Sequence, residues 1–216
     1  MSGPGAPDAG SGNGNGAALT PYPEAARNLL RETFFGAARD ELERRSWSEI
    51  TMSDIARTAG VSRQTLYKEF GSREEFAQAF VIHIGERFLD EVDAAVREHL
   101  DDPRAAIDAA LQTFLRTAGE DPLVRVLLGD DGTGGMLPFV TTQGMPVVVF
   151  ATARLFETIR EGWPEAPPEK AQLLAESLVR LAISFVTAPS ASPEETSAKT
   201  GDLLGPFIDK ALGVAG

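Results

Sequence analysis

Five side chains within six positions, Arg63, Gln64, Thr65, Tyr67 and Lys68, carry the hydrogen-bonding chemistry needed to read a nucleic-acid duplex. The guanidinium fork of Arg matches guanine O6 and N7, and the Gln amide matches adenine N6 and N7. Thr donates a hydrogen bond or touches a thymine methyl. Tyr and Lys suit phosphate oxygens. Three hydroxyl residues, Thr51, Ser62 and Ser72, each stand just before a helical pattern. The unpaired N–H groups of a helix start make a phosphate site, and such hydroxyls sit beside them.

Those groups need two short helices to hold them. Thr51-Met52-Ser53-Asp54 has the form of a capping box and opens the first, which carries Ile55-Ala56 and stops at Ala59-Gly60. Ser62 caps the second, Arg63 to Glu69, and Gly71 ends it. Ile55, Ala56, Val61 and Leu66 are the compact apolar residues that lock two such helices at a steep angle. The unit is a helix–Gly-turn–helix, and in its DNA-binding form the second helix enters the major groove. A hairpin of this shape also occurs as plain scaffolding in helical proteins.

The detail of residues 46–76, SWSEITMSDIARTAGVSRQTLYKEFGSREEF, resembles the tetracycline-repressor (TetR) family of bacterial regulators. The resemblance rests on an aromatic before a Thr-capped helix, the DIA…AGVS core, TLYKEF, and a GS-basic-E start to a fourth helix. Three departures are slight. Ser46 replaces the usual Gly, Ile50 stands where a small or hydroxyl residue is frequent, and Arg73 replaces Lys. The resemblance covers about 50 residues; the rest matches only in helix count. It implies an all-α fold with an N-terminal three-helix DNA-binding domain and a larger C-terminal helical domain for ligand binding and dimerisation. It implies a homodimer on a near-palindromic operator, with Arg63, Gln64 and Thr65 toward bases. Thr51, Ser62, Tyr67, Lys68, Ser72 and Arg73 would face the DNA backbone, with Tyr67 also within reach of a base. It further implies that a small-molecule effector moves the fourth helix and spreads the two heads. Such an effector must bind the two head spacings with different affinity.

The chain divides accordingly into a tail (1–20), a DNA-binding domain (21–71) and a helical body (72–216). The tail holds six Gly, two Pro and one charge, too little apolar surface to order itself. Without Lys or Arg it is neither a secretory leader nor a minor-groove arm. A helix over 24–45 follows from Ala26, Leu29, Leu30, Phe34, Ala37, Ala38 and Leu42 at spacings of three and four. The fourth helix runs through Phe76, Phe80, Ile84, Phe88, Val92 and Val96, and later helices are expected near 103–117, 122–128, 146–161, 168–187 and 193–213. Val147 to Phe150 is β-branched enough to suit a buried strand, but Ala151, Leu155 and Ile159 continue a helical spacing.

Phe88, Leu111, Phe114, Leu127, Met136, Phe139, Phe150, Leu155, Phe156 and Trp163 are the large side chains of an expected effector pocket that favours an apolar or amphipathic, lipid-like or aromatic ligand. Arg116, Arg125 and Arg154 are the cations that could pair an acidic head group there. Leu174, Leu178, Leu181, Phe185, Leu204, Phe207 and Ile208 are the expected dimer face on the last two helices, which otherwise would be internal core. Residues 129–135, GDDGTGG, lack the ends of a phosphate loop and the alternation of a calcium loop, and read as a connection that could gate the pocket. His83 and His99 lie about 24 Å apart on one straight helix, too far to share a metal. No cofactor is expected.

Charge tests the DNA reading. The 216 residues carry a net −12, and bulk negative charge repels phosphate. Residues 44–73, however, hold six basic side chains against three acidic ones, a local +3 that leaves −15 elsewhere. The composition thus excludes a non-specific coater of DNA, not a selective reader. The absence of cysteine excludes disulfides, thiolate metal sites and cysteine nucleophiles, and suits a reducing cytoplasm. No run approaches the ~18 apolar residues of a membrane span. An enzyme built on Asp130 and Asp131 lacks a His–carboxylate spacing or an activated nucleophile. A constitutive dimeric DNA clamp without an effector remains the alternative to an inducible repressor.

Overall fold

The computed structural model describes residues 22–128 and 135–213, and every regular element among them is helical. The chain runs α1 (Tyr22–Leu42), a 3₁₀ turn (Trp47–Glu49), α2 (Met52–Thr58), α3 (Arg63–Phe70) and α4 (Arg73–Arg97). It continues through α5 (Pro103–Glu120), α6 (Pro122–Leu128), a second 3₁₀ turn (Leu137–Phe139), α7 (Met145–Gly162), α8 (Pro168–Thr187) and α9 (Pro193–Leu212). Residues 1–20 and the Gly-rich stretch 129–134 lie outside the described residues. No described helix is long and apolar enough to cross a membrane, and no described cluster of His, Cys, Asp and Glu has a metal-binding arrangement.

Local chemistry sets the boundaries. Asp102, Asp121 and Ser192 accept hydrogen bonds from the first N–H groups of α5, α6 and α9. Each of those helices begins with a proline, whose fixed φ suits the first turn and whose missing N–H costs nothing there. Val147–Phe150 is helical within α7. Val148, Leu155 and Ile159 on that helix are buried at helical spacing, so burial of one face outweighs β propensity.

Two cores share the fourth helix. Its first half supplies Phe76, Phe80, Ile84 and Phe88 to a core that also contains Phe34, Phe35, Trp47, Ile55, Leu66 and Phe70 of the head. Its second half supplies Val92 and Val96 to a core built from α5, α7, α8 and α9. A movement of α4 is therefore felt in both cores. In the body, α5 lies along α9, where Arg104 packs against Gly205 and forms a two-pronged salt bridge with Asp209. A Cβ at Gly205 would sit 2.7 Å from the Arg104 guanidinium, so the glycine permits this approach.

Candidate nucleic-acid interface and effector cavity

The turn between α2 and α3 is built by glycine and caps. Gly60 adopts φ +67°, the left-handed region that other residues enter at a cost. Val61 N–H then donates to the Ala56 carbonyl at 3.0 Å, closing the turn. Thr51 and Asp54 satisfy each other's backbone N–H groups at 3.0 and 3.2 Å. The Ser62 hydroxyl accepts from Thr65 N–H at 3.1 Å, and Ser72 accepts from Glu75 N–H at 3.0 Å. The three hydroxyls expected at the DNA backbone thus serve first as helix caps.

Helix α3 sorts its side chains by face. Leu66 and Phe70 are buried, whereas Arg63, Gln64, Tyr67 and Lys68 are exposed at positions i, i+1, i+4 and i+5. All four share one side of the helix. The Arg63 guanidinium stacks 5.1 Å from the centre of the Tyr67 ring, and its Nη2 lies 3.5 Å from the Tyr67 hydroxyl. Thr65 is half-buried, with its hydroxyl 2.8 Å from that of Ser62. Arg73 is turned inward rather than toward a phosphate. Its Nη2 donates to the carbonyls of Trp47 at 2.5 Å and Ile50 at 3.2 Å, and its guanidinium lies 4.5 Å from the Trp47 ring. The Trp47 carbonyl already accepts from Ile50 N–H at 3.2 Å and takes Arg73 as a second donor, and the first turn of α4 brings Arg73 within reach of both carbonyls.

Side chains not singled out in the sequence hold the head together. Glu69 at the end of α3 accepts from Arg27 and Arg31 of α1 at 2.9 Å, and Arg31 stacks 4.6 Å from the centre of the Phe70 ring. Glu41, at the end of α1, is buried and accepts from the Thr58 hydroxyl of α2 and from Arg45. The Thr58 hydrogen bond, then Arg45, hold the Glu41 carboxyl below its ordinary range. Asp54 is likewise held low, mainly by Thr51 and further by Arg57. An acid whose folded pKa is depressed stabilises the fold above its unfolded pKa and loses that contribution as pH falls. Thermal unfolding should therefore show the head weakening as pH drops through the carboxylate range. Glu41→Gln should lower the melting temperature at pH 7 and flatten that acid dependence. An unchanged pH profile in this variant would refute the role assigned to Glu41.

A partly open cavity of about 150 Å³ lies beside α4, lined also by α5, α6, α7, α8 and the segment carrying Met136 and Val140. Phe88, Leu111, Phe114, Met136, Phe150 and Leu155 line it, six of the expected pocket residues. Phe139 is instead buried in the head-side core, and Phe156 and Trp163 pack against the body core, none of them on the cavity wall. The Leu127 side chain lies outside the described residues. Among the described residues, Asp93 is the single charged residue on the wall. It accepts from Thr158 at 2.5 Å and from Arg154 at 2.6 Å, and Arg154 also reaches Asp90 at 3.0 Å. Arg154 is therefore held by the protein's own carboxylates. The sequence did not single out Gly85, Leu89, Ile107, Val179 and Ile183, which also line the wall. Four of them lie along the apolar stripes of α4 and α8, and Ile107 lies on that of α5.

The expected dimer face divides. Leu174, Leu178 and Ile208 are buried inside the protomer, and Leu178 lines the cavity. This corrects their assignment to the partner: α8 packs on α7 and α5, and α9, which carries Ile208, packs on α5, so these side chains are turned inward. Leu181, Phe185, Leu204 and Phe207 are half-buried, and Leu173 and Leu203 are exposed by 54% and 74%.

Comparison with known proteins agrees with this geometry. A family model described as "Bacterial regulatory proteins, tetR family" matches residues 35–80. A second, "Bacterial Tetracyclin repressor, C-terminal domain", matches residues 102–206. The HTH-type transcriptional regulator AlkX of Mycobacterium tuberculosis is 36% identical over 190 residues, 88% of this chain and 90% of that protein. The crystal structure of the TetR family repressor AlkX from Dietzia sp. strain DQ12-45-1b superposes with a TM-score of 0.72 at 34% identity, covering 84% of this chain and 96% of that one. The R. erythropolis repressor QsdR shares the fold alone, with a TM-score of 0.58 at 18% identity over 86% of this chain and 95% of that one. With a capped helix-turn-helix, an exposed reading face and a helical body matched along most of its length, the chain belongs to the TetR family of DNA-binding transcriptional regulators and is not an enzyme.

Proposed function

We propose that the protein is a cytoplasmic homodimeric repressor, released from a near-palindromic operator by an apolar or amphipathic molecule that occupies the cavity. The observation that carries this reading is the placement of that cavity against α4, whose first half belongs to the head core and whose second half belongs to the body core. A ligand favouring one position of α4 shifts the head spacing by its differential affinity. Among the described residues the wall is apolar apart from Asp93, and an apolar wall favours hydrocarbon over sugar or nucleotide. The similar Dietzia regulator is implicated in biodegradation of n-alkanes, which supports an alkyl-chain effector for this chain as well.

Arg63, Gln64, Tyr67 and Lys68 form the proposed reading face. Thr51, Ser62 and Ser72 place helix-start N–H groups for phosphate, and Thr65 stands at the edge of the face. Leu173, Leu181, Phe185, Leu203, Leu204 and Phe207 form the proposed dimer face. They are apolar, incompletely covered within one protomer, and carried on the two adjacent helices α8 and α9.

Genomic fragments selected by the purified protein should yield a near-palindromic site, bound by a dimer in a gel-shift assay. Long-chain n-alkyl compounds should raise the melting temperature and release that site. A melting temperature unmoved by n-alkyl, aromatic and lipid compounds alike would favour the constitutive clamp.

A further inference from the structure

We propose that Gly85 sets how long an alkyl chain the cavity accepts, by leaving open the passage toward the DNA-reading head. The proposal rests on the effector reading above. Gly85 stands in the interior of α4, where glycine is unfavourable because it adds backbone freedom that folding must remove. None of the usual reasons for glycine applies. Its φ is not in the left-handed region, and a Cβ built on it meets no heavy atom within 4 Å. Gly36 and Gly119 also have room, but they face solvent. Gly85 lines the cavity, so the room beside it is ligand space.

Its position along the cavity gives that space a direction. The wall follows α4 from Val81 to Asp93, about 18 Å at 1.5 Å per residue. Asp93, with Arg154 and Thr158 bound to it, makes one end polar. The other end is formed where Val81, Val124 and Met136 join the core of the head. Between them, Gly85 is one turn from Leu89 and two turns from Asp93. A ligand with a polar terminus places that terminus near Asp93, because burying it at the apolar end would leave it unpaired. Its alkyl tail then runs along α4 past Gly85 toward the head. Short chains end before Gly85; long chains need the gap that the missing side chain leaves.

The n-alcohols from hexanol to hexadecanol, titrated against the intact dimer and followed by thermal shift, test this directly. Wild-type protein should bind more tightly as the chain lengthens. Gly85→Leu should bind hexanol as wild type does, and hexadecanol at least tenfold more weakly. Gly85→Ala, which adds a single methyl, should give an intermediate loss and covers the case in which the leucine variant does not fold. A responsive wild type whose Gly85→Leu or Gly85→Ala variant binds hexadecanol within twofold of it overturns the role of Gly85 alone. A wild type that responds to no alcohol overturns the alkyl-chain reading of the effector, and this inference with it.

Discussion

Arg63→Ala is expected to abolish specific operator binding while leaving the protein folded and dimeric. Arg63 is exposed at the start of α3 and makes no contact with the core, so its loss leaves no cavity. A bidentate arginine–guanine contact contributes about 1–3 kcal/mol of discrimination, and a symmetric dimer makes it twice, so about 2–6 kcal/mol is at stake. Stacking on Tyr67 holds the guanidinium over the reading face before DNA arrives. Part of its ordering entropy is then already spent, and Tyr67→Ala should weaken binding even where Tyr67 itself touches no base. Lys68→Ala offers the contrast: a lost phosphate contact weakens all sequences alike and reduces the salt slope by about 1. Titrations on operator and scrambled DNA between 50 and 200 mM salt separate the two effects. Wild-type affinity in Arg63→Ala would remove α3 as the reading helix.

Phe76→Ala should also abolish binding, but by unfolding the head. Phe76 is fully buried and touches the rings of Phe35, Trp47, Phe70 and Phe80, with centroid separations of 4.9 to 6.3 Å. These rings come from α1, the 3₁₀ turn, α3 and α4, so one side chain ties four elements together. Phenylalanine-to-alanine changes in packed cores cost about 3–5 kcal/mol, comparable with the whole stability of a small helical unit. Circular dichroism and hydrogen exchange should show the head losing protection, whereas Arg63→Ala should leave both unchanged. A Phe76→Ala protein that melts within a few degrees of wild type would contradict the central role given to this cluster.

The head was legible in the sequence because its instructions are local. A capping box spans three residues, a left-handed turn needs one glycine, and the reading face repeats along a single helix. Gly60, Gly71 and the caps at Thr51, Ser62 and Ser72 act within a few positions of themselves, so spacing alone reveals them. Arg73 shows where that reasoning stops. A basic residue at the start of α4 invites a phosphate, but Arg73 instead donates to the carbonyls of Trp47 and Ile50, more than twenty positions away. Glu41 and Glu69 likewise take their roles from partners on other helices.

The body was legible as helices and not as surfaces. Leu174, Leu178 and Phe156 all read as large apolar residues on helical stripes, and nothing in a stripe says which neighbour it meets. Hydrophobic burial is non-directional, so periodicity reports that a face is covered without saying by what. By itself the sequence determined the class of protein, the approximate helix boundaries and the caps and turn of the helix-turn-helix, because capping and turn chemistry act between near neighbours. Only the tertiary structure decided which leucines face inward, that Arg73 braces the head, and that an apolar cavity opens beside Gly85, because those outcomes depend on how separate helices pack in space.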